Sequence, residues 1–351
     1  MLCYSANIEE YISEYFSASE KYDLLLGDLN FTLTNQNKQQ GEVFVRDDDV
    51  ESWMGICHGW APAAFIYPRP QHNVTVTAAD GKTKIKFYAD DIRGLASLKY
   101  ASTQYENIFV GGRCNRYDRT IEKDPETGLI LDYTCFDINP ATWTMVVANR
   151  LGVEGKSFVI DATFDLQVWN QPVYSYEMRF FNILNATQET DLDSAKVPIK
   201  ELATSENKVH HFLDQHHDEK AVNVVGVNMD LVYIAETSPS HQTPGKDRQV
   251  KVTYLYTLEL DENNTIVGGE WLNNQHPDFL WAPADGAKAV SEEDELLEKK
   301  IQGTIKNPAV LQEIMRYAVN ASERGEVLNL VVDYLVEKSA NGSEEATFLA
   351  F

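Results

Sequence analysis

AVNVVGVNMDLVYIA, residues 221–235, and RQVKVTYLYTLEL, residues 248–260, decide the fold class. Both are dominated by β-branched and aromatic residues whose stiff side chains suit a pleated surface, so both read as strands. SFVIDA (157–162) and YSYEMRFF (174–181) read the same way, and 261–264 reads as a turn before TIVGGEWL (265–272). Working outward, KTKIKFYA (82–89) alternates like a half-buried strand. ADDIRGLASLKYASTQY (89–105) opens with acidic residues and continues with a helical period. Residues 6–26 are amphipathic and expected to be helical, as are SEEDELLEKKIQGTI (291–305) and PAVLQEIMRYAVNASERG (308–325). NQNKQQGEVFVRDDDVES (35–52) reads as a polar connection, and 110–139 as loop-rich. There is no internal repeat and no low-complexity tract. The expected class is α+β, with helices at both ends around a mainly antiparallel sheet. The expected division is a main domain over 1–290 and a C-terminal helical segment, 291–351, packed on it.

One segment is ambiguous. In NPATWTMVVANRLGVEGKSFVIDAT (139–163), Asn139 and Pro140 make a helix start and Gly152 a stop. Thr142, Trp143, Thr144, Val146 and Val147 favour strand instead, with GVEGK (152–156) as the turn of a hairpin. The hairpin is the preferred reading; it sets position 144 opposite 163, with Asp161 diagonally across on the same face.

The 351 residues carry 30 Lys and Arg against 54 Asp and Glu, a formal charge of −24. That balance argues against nucleic acid or an anionic membrane surface as main partner, and reads most simply as a solubilising surface. No apolar run is long enough to span a bilayer. The opening MLCYSANIEEYISEYF lacks the basic and apolar regions of a secretory signal.

The first chemically suggestive stretch is WMGICHGWAPAAF (53–65). Gly55 and Gly59 break regular structure, while Ala61, Ala63, Ala64 and Phe65 favour helix, with Pro62 near its first turn. Cys57 then sits at a helix N-terminus, where partial positive charge favours a thiolate. An inert core cysteine is the commoner role of a free thiol. If Cys57 stays free, Cys114 and Cys135 are the natural disulfide candidates and Cys3 is left over; in a reducing compartment all four are thiols.

ESWMGICHGWAPAAF (51–65), NPATW (139–143) followed by ANRLG (148–152), SFVIDATFDLQVWNQPV (157–173) and GGEWLNNQHPDFLWAP (268–283) occur in that order. Together they resemble the transglutaminase-elicitor family of oomycetes and bacteria, over about residues 22–283. VWNQPV (168–173) resembles the core of the surface peptide by which plants recognise the oomycete members. The resemblance implies a protein-glutamine γ-glutamyltransferase with papain-like cysteine, histidine and aspartate logic. Its partners are a glutamine-containing protein and a lysine or small primary amine. Cys57 maps onto the nucleophile and Asp161 onto the acid that orients an imidazolium, with Asp165 as the alternative acid. Trp53, Trp60, Trp169 and Asn170 map onto the oxyanion site and cleft. An extracellular or cell-surface location follows from the same resemblance. No resident cofactor is implied with force; calcium enters only through the family and the DDD run at 47–49, which is no EF-hand loop.

The chain departs from the family at one decisive place. Histidine is expected after the tryptophan of NPATW, and Thr144 stands there. A threonine hydroxyl cannot hold a proton near neutral pH as imidazole does. Either activity is impaired, or His58 or His276 substitutes. His58 adjoins the nucleophile, yet neighbouring side chains point in different directions from a helix start, so it also reads as a surface residue. His276 in HPDFLW also reads as part of a turn satisfied by Asp278. HHFLDQHHDEK (210–220) offers at most a partial metal site and reads as an exposed polar helix. In VWNQPV, Pro172 is expected to fix a turn. Two rival functions remain: a cysteine peptidase or amidase, and a non-catalytic binding protein on the same scaffold.

Overall fold

The computed structural model describes residues 8–46, 55–163, 167–241, 247–301, 308–342 and 345–346. Cys3, Trp53, Asp165 and the DDD run at 47–49 lie outside the described residues. In chain order come α1 (Ile8–Tyr15), α2 (Ala18–Leu25), α3 (Thr32–Arg46), α4 (Cys57–Ile66), β1 (Val74–Thr77), β2 (Lys84–Phe87), α5 (Ala89–Ser102) and β3 (Asn107–Gly111). There follow α6 (Pro140–Val146), β4 (Val159–Asp161), β5 (Asn170–Asn182), β6 (Thr187–Glu189), α7 (Leu192–Ala195), β7 (Val197–Pro198), α8 (Ile199–Leu202) and α9 (Lys208–Gln215). The series ends with β8 (Asn223–Ala235), β9 (Arg248–Leu260), β10 (Ile266–Gly268), β11 (Phe279–Pro283), α10 (Glu292–Ile301), α11 (Pro308–Ser322), α12 (Asn329–Asn341) and β12 (Glu345–Ala346). The class is α+β, as expected. The chain forms two compact units, a helical one from 1–106, 237–246 and 283–351, and a sheet unit from 107–236 and 247–282.

The helical unit buries Tyr22, Leu25, Ile92, Leu95, Val331 and Leu335 together with Ile85 and Phe87 of β2. Its first helical stretch is two helices rather than one. Ser17 ends the first run by capping α2, and its N–H donates to the Glu20 carboxylate at 2.7 Å. The expected polar connection at 35–52 is helical through Arg46. Its start is held by two carboxylates: Asp28, just before the helix, accepts the Thr32 N–H at 2.9 Å, and the buried Asp23 of α2 accepts the Leu33 and Thr34 N–H groups at 3.2 and 3.1 Å. The part of the cap supplied from α2 leaves no local signature, and the polar composition of 35–46 pointed to a loop.

In the sheet unit, β8 and β9 pair along their whole length, from Asn223 opposite Leu260 to Ala235 opposite Arg248. Val225, Val227, Met229 and Leu231 alternate into one core with Tyr254, Tyr256, Leu258 and Leu260. The sheet runs β10-β9-β8-β5-β4-β11-β3, with β6 on β5 and β7 on β8. The ladders joining β5 to β8, β4 to β5 and β11 to β4 are antiparallel.

The expected hairpin over 139–163 does not form. The Asn139 side chain accepts the Ala141 N–H at 2.9 Å and Pro140 opens α6, which runs on as π-helical turns over Val147–Val153. Capping chemistry wins over β propensity because the branched and aromatic side chains still find burial: Trp143 and Val147, one helical turn apart, enter the core together with Ala141. Of the expected hairpin only β4 survives, paired with β5 and β11. Pro172 also differs from expectation: it lies within β5, opposite Val159, and fixes no turn.

Candidate active site

Cys57 is the first residue of α4, half-buried, and free of disulfide. Ile56 before it has φ −95° and ψ 44°, and its carbonyl accepts the Gly59 and Trp60 N–H groups at 2.8 and 3.0 Å. Ile56 supplies no side-chain cap, so the partial positive charge of the first turn acts on the neighbouring sulfur. Pro62 lies inside the helix rather than near its first turn, and lacks the N–H that would bond the His58 carbonyl. What holds this helix in place is Gly59. A Cβ there would stand 2.3 Å from the Ser97 carbonyl oxygen, 2.6 Å from the Ala101 Cβ and 2.7 Å from the Ala101 nitrogen, so α4 lies backbone to backbone on α5.

His58 is exposed, as its surface reading expects, yet its ring does not turn away from Cys57. It hydrogen-bonds the Cys57 side chain and the Ala101 backbone; the Cys57 bond does most to raise its pKa, with burial opposing. Trp60 is half-buried on the same turn. Cys57 and His58 thus form a thiol–imidazole pair within the helical unit. Thr144, Asp161, Trp169, Asn170 and His276 belong to the sheet unit.

In that unit Asp161 ends β4, fully buried. Its Oδ1 accepts the Trp169 N–H at 2.8 Å, the Thr163 hydroxyl at 2.9 Å and the Thr163 N–H at 3.3 Å. Among the described residues its Oδ2 has no hydrogen-bond partner. Burial lifts its pKa to about 6, while those donors and the Arg113 charge pull the other way. Trp169 precedes β5 and its indole N–H donates to Gln167 at 3.2 Å. Asn170, opposite Asp161 in the ladder, accepts the Trp281 indole N–H at 2.7 Å.

Thr144 is buried in α6, and its hydroxyl donates to the Tyr256 hydroxyl at 2.9 Å. This threonine is thereby part of the aromatic core around Trp143. His276 is also buried, stacked on Trp271 with ring centres 4.9 Å apart and planes 13° from parallel. Its Nδ1 lies 3.6 Å from Oδ2 of Asp137. Burial lowers His276 to about 4 and raises Asp137 to about 8, with the Asp161 charge adding to the second shift. At neutral pH the favoured pair is therefore a carboxylic acid facing a neutral imidazole. Sequence reasoning did not single out Asp137; its one signal is adjacency to NPATW, and its left-handed backbone, φ 57°, cannot be read from sequence.

The disulfide between Cys114 and Cys135 is formed, and the Cys114 N–H donates to Asp278 at 3.1 Å. Among the described residues no three His, Cys, Asp or Glu side chains gather closely enough to hold a metal. In HHFLDQHHDEK, His210 is buried rather than exposed, its Nδ1 2.7 Å from the Ser205 hydroxyl. No helix among the described residues is long and apolar enough to cross a membrane.

No curated protein is significantly similar to this chain. A similar solved structure is the GP42 transglutaminase from Phytophthora sojae, 23% identical with a TM-score of 0.52. The alignment covers 84% of this chain and 65% of that one, so this chain spans about two thirds of that protein's length. At that identity the likeness is one of fold. The Transglutaminase elicitor family model matches residues 35–293, most of the chain, and the chain belongs to the transglutaminase elicitor family.

Proposed function

We propose that this chain is a protein-glutamine γ-glutamyltransferase acting through Cys57, with His58 as the proton acceptor. The observation that carries the reading is the hydrogen bond between the His58 imidazole and the Cys57 side chain at the start of α4. His58 takes the thiol proton, and the sulfur attacks the carboxamide carbon of a glutamine. The carbon–nitrogen bond breaks, the imidazolium returns its proton, and ammonia leaves. A lysine or small primary amine then attacks the thioester, its proton passes to His58, and the carbon–sulfur bond breaks. Backbone N–H groups of the first turn of α4 stabilise the oxyanion, with Trp60 on the same turn as a wall of the cleft. The reaction so written uses no cofactor. Asp161, or Asp165 in its place, keeps the acid position that the family resemblance assigns; among the described residues the Asp161 Oδ2 has no hydrogen-bond partner.

The second reading is an impaired enzyme, favoured by Thr144, whose hydroxyl is engaged with Tyr256. Loss of a general base removes about 10²–10⁴ in rate. An extracellular location belongs to the proposal and draws support from the Cys114–Cys135 disulfide, which persists in oxidising compartments.

The test measures ammonia release from a glutamine peptide with and without a primary amine, alongside peptide-bond cleavage. Amine incorporation abolished in both Cys57→Ala and His58→Gln is the expected result. If His58→Gln retains full rate while Thr144→His raises it, the base assignment is wrong and the impaired reading holds. Ammonia released equally with and without amine, and no amine incorporated, makes the chain an amidase.

A further inference from the structure

α4 is attached to α5 at both of its ends, and the far end is held by a buried lysine. At the near end Gly59 lies against Ser97 and Ala101, and the Ala101 backbone holds the His58 imidazole. At the far end Tyr67 closes α4, its N–H donating to the Ala63 carbonyl at 3.3 Å. The Lys99 ammonium, on α5 two residues before Ala101, donates to the Tyr67 hydroxyl, which in turn donates to Oδ1 of Asp333 on α12 at 2.5 Å. The same Asp333 oxygen stands 3.4 Å from Lys99 Nζ. The ammonium also lies over the Tyr67 and Tyr100 rings, 5.1 and 5.8 Å from their centres, and those rings meet edge to face at 6.0 Å. All of these residues belong to the helical unit, and α12 is fixed in its core by Val331, Val332, Leu335 and Val336.

Stability alone does not account for this arrangement. The Lys99 side chain is 4% exposed, while its counter-charge, Asp333, is 48% exposed. Burial lowers the Lys99 pKa and Asp333 opposes the shift. Burying one member of an ion pair carries a desolvation cost that offsets the attraction, so the pair adds little stability over apolar side chains of the same volume. What it does impose is geometry. A charged hydrogen bond is satisfied only over a narrow range of distance and angle, whereas apolar contact is non-directional. The hydrogen bonds run from α5 to the end of α4 and on to α12, so they fix the rotation and the slide of α4 on α5. Those are the two movements that would carry Cys57 away from an imidazole held by Ala101.

We infer that Lys99 is a positioning residue for the Cys57–His58 pair, acting through the Tyr67 hydroxyl. It touches no reacting atom. The inference rests on the proposed chemistry for its purpose, and its main test reads geometry without turnover. Iodoacetamide labelling is followed at Cys57 by peptide mass, from mildly acidic to alkaline pH, in the full chain and in Lys99→Met, Tyr67→Phe and the double variant. Tyr67→Phe removes a single oxygen and guards against misfolding of the lysine variant. Labelling tracks the thiolate fraction. In each single variant its midpoint rises by about one pH unit, so labelling at mildly acidic pH is about tenfold slower while the alkaline plateau is unchanged. The double variant shifts no further than either single one, because the two residues act as a unit. For amine incorporation into a glutamine peptide, kcat falls in both single variants and KM stays within about twofold. Midpoints equal to the wild type overturn the inference, even where the urea midpoint falls, since the network is then only structural. Effects that add in the double variant also overturn it, because Lys99 then does not act through Tyr67. A chain that shows the shared shift but transfers no acyl group defeats the proposed function alone. Acyl transfer at wild-type kcat in both single variants defeats only this inference.

Discussion

Replacing Gly59 by alanine adds one methyl group where α4 meets α5. Helix propensity alone favours the change by about 1 kcal/mol. The structure opposes it, because the new Cβ would lie 2.3 Å from a carbonyl oxygen and 2.7 Å from a backbone nitrogen. Those distances are about 1 Å short of ordinary contact, and the obstacles are backbone rather than the ends of flexible side chains. Overpacking of this kind costs about 1–3 kcal/mol, at the upper end where nothing can swing aside. The net expectation is a loss of about 1–2 kcal/mol, read from the urea midpoint at unchanged m. Moving α4 away from α5 also moves His58 off the Ala101 backbone, so iodoacetamide should label Cys57 more slowly at mildly acidic pH than in the wild type. A Gly59→Ala chain as stable as the wild type, with wild-type labelling, refutes the close approach and the positioning argument built on it.

Asp137→Asn should flatten one limb of the stability–pH curve. The Asp137 carboxyl titrates at about 8 when folded and at about 3.9 when unfolded, so the folded state holds an extra proton. His276, at about 4 when folded and about 6.5 when unfolded, cancels this below pH ~6.5. Between there and pH ~8 stability therefore falls, by roughly 2 kcal/mol, and an equal slope in the variant contradicts the assignment. Removing the Cys114–Cys135 bond, with its sequence separation of 21, should destabilise the sheet unit by about 3 kcal/mol in urea; no change means the thiols are unpaired. Thr144→Val keeps shape but leaves the buried Tyr256 hydroxyl without its Thr144 donor, a loss of about 1–2 kcal/mol in thermal or urea unfolding, with Cys57 labelling unaffected.

Long, regular elements were legible because their pattern is local. The β8 and β9 strands alternate along their length, and acidic residues mark the start of α5. Failures came where a distant group decided the outcome. Asp23 helps cap α3 from another helix. The tryptophan and valines of 139–163 accept a helix because the core they fill is built by β8 and β9. Cys57 as a helix start was readable from Gly55, Gly59 and the alanines that follow. Its bond to His58 was not, since it depends on where α5 holds the imidazole, nor was Asp137, which acquires its character only by burial beside His276.

A histidine adjacent in sequence to a nucleophile is ordinarily a poor base, because successive side chains leave a helix in different directions. Here the first turn relaxes that objection. Cys57 has only Ile56 before it, outside regular helix geometry, and His58 is tethered at its other side by Ala101. On the proposed mechanism, nucleophile and base ride on one helix, and their geometry depends on how tightly that helix is seated rather than on a residue delivered at position 144. The glycine after His58 then has a chemical as well as a packing role: without a Cβ it lets α5 come close enough to hold the imidazole against the sulfur. A threonine at position 144 is tolerable on these terms, because it completes the aromatic core through Tyr256 and is asked for no proton.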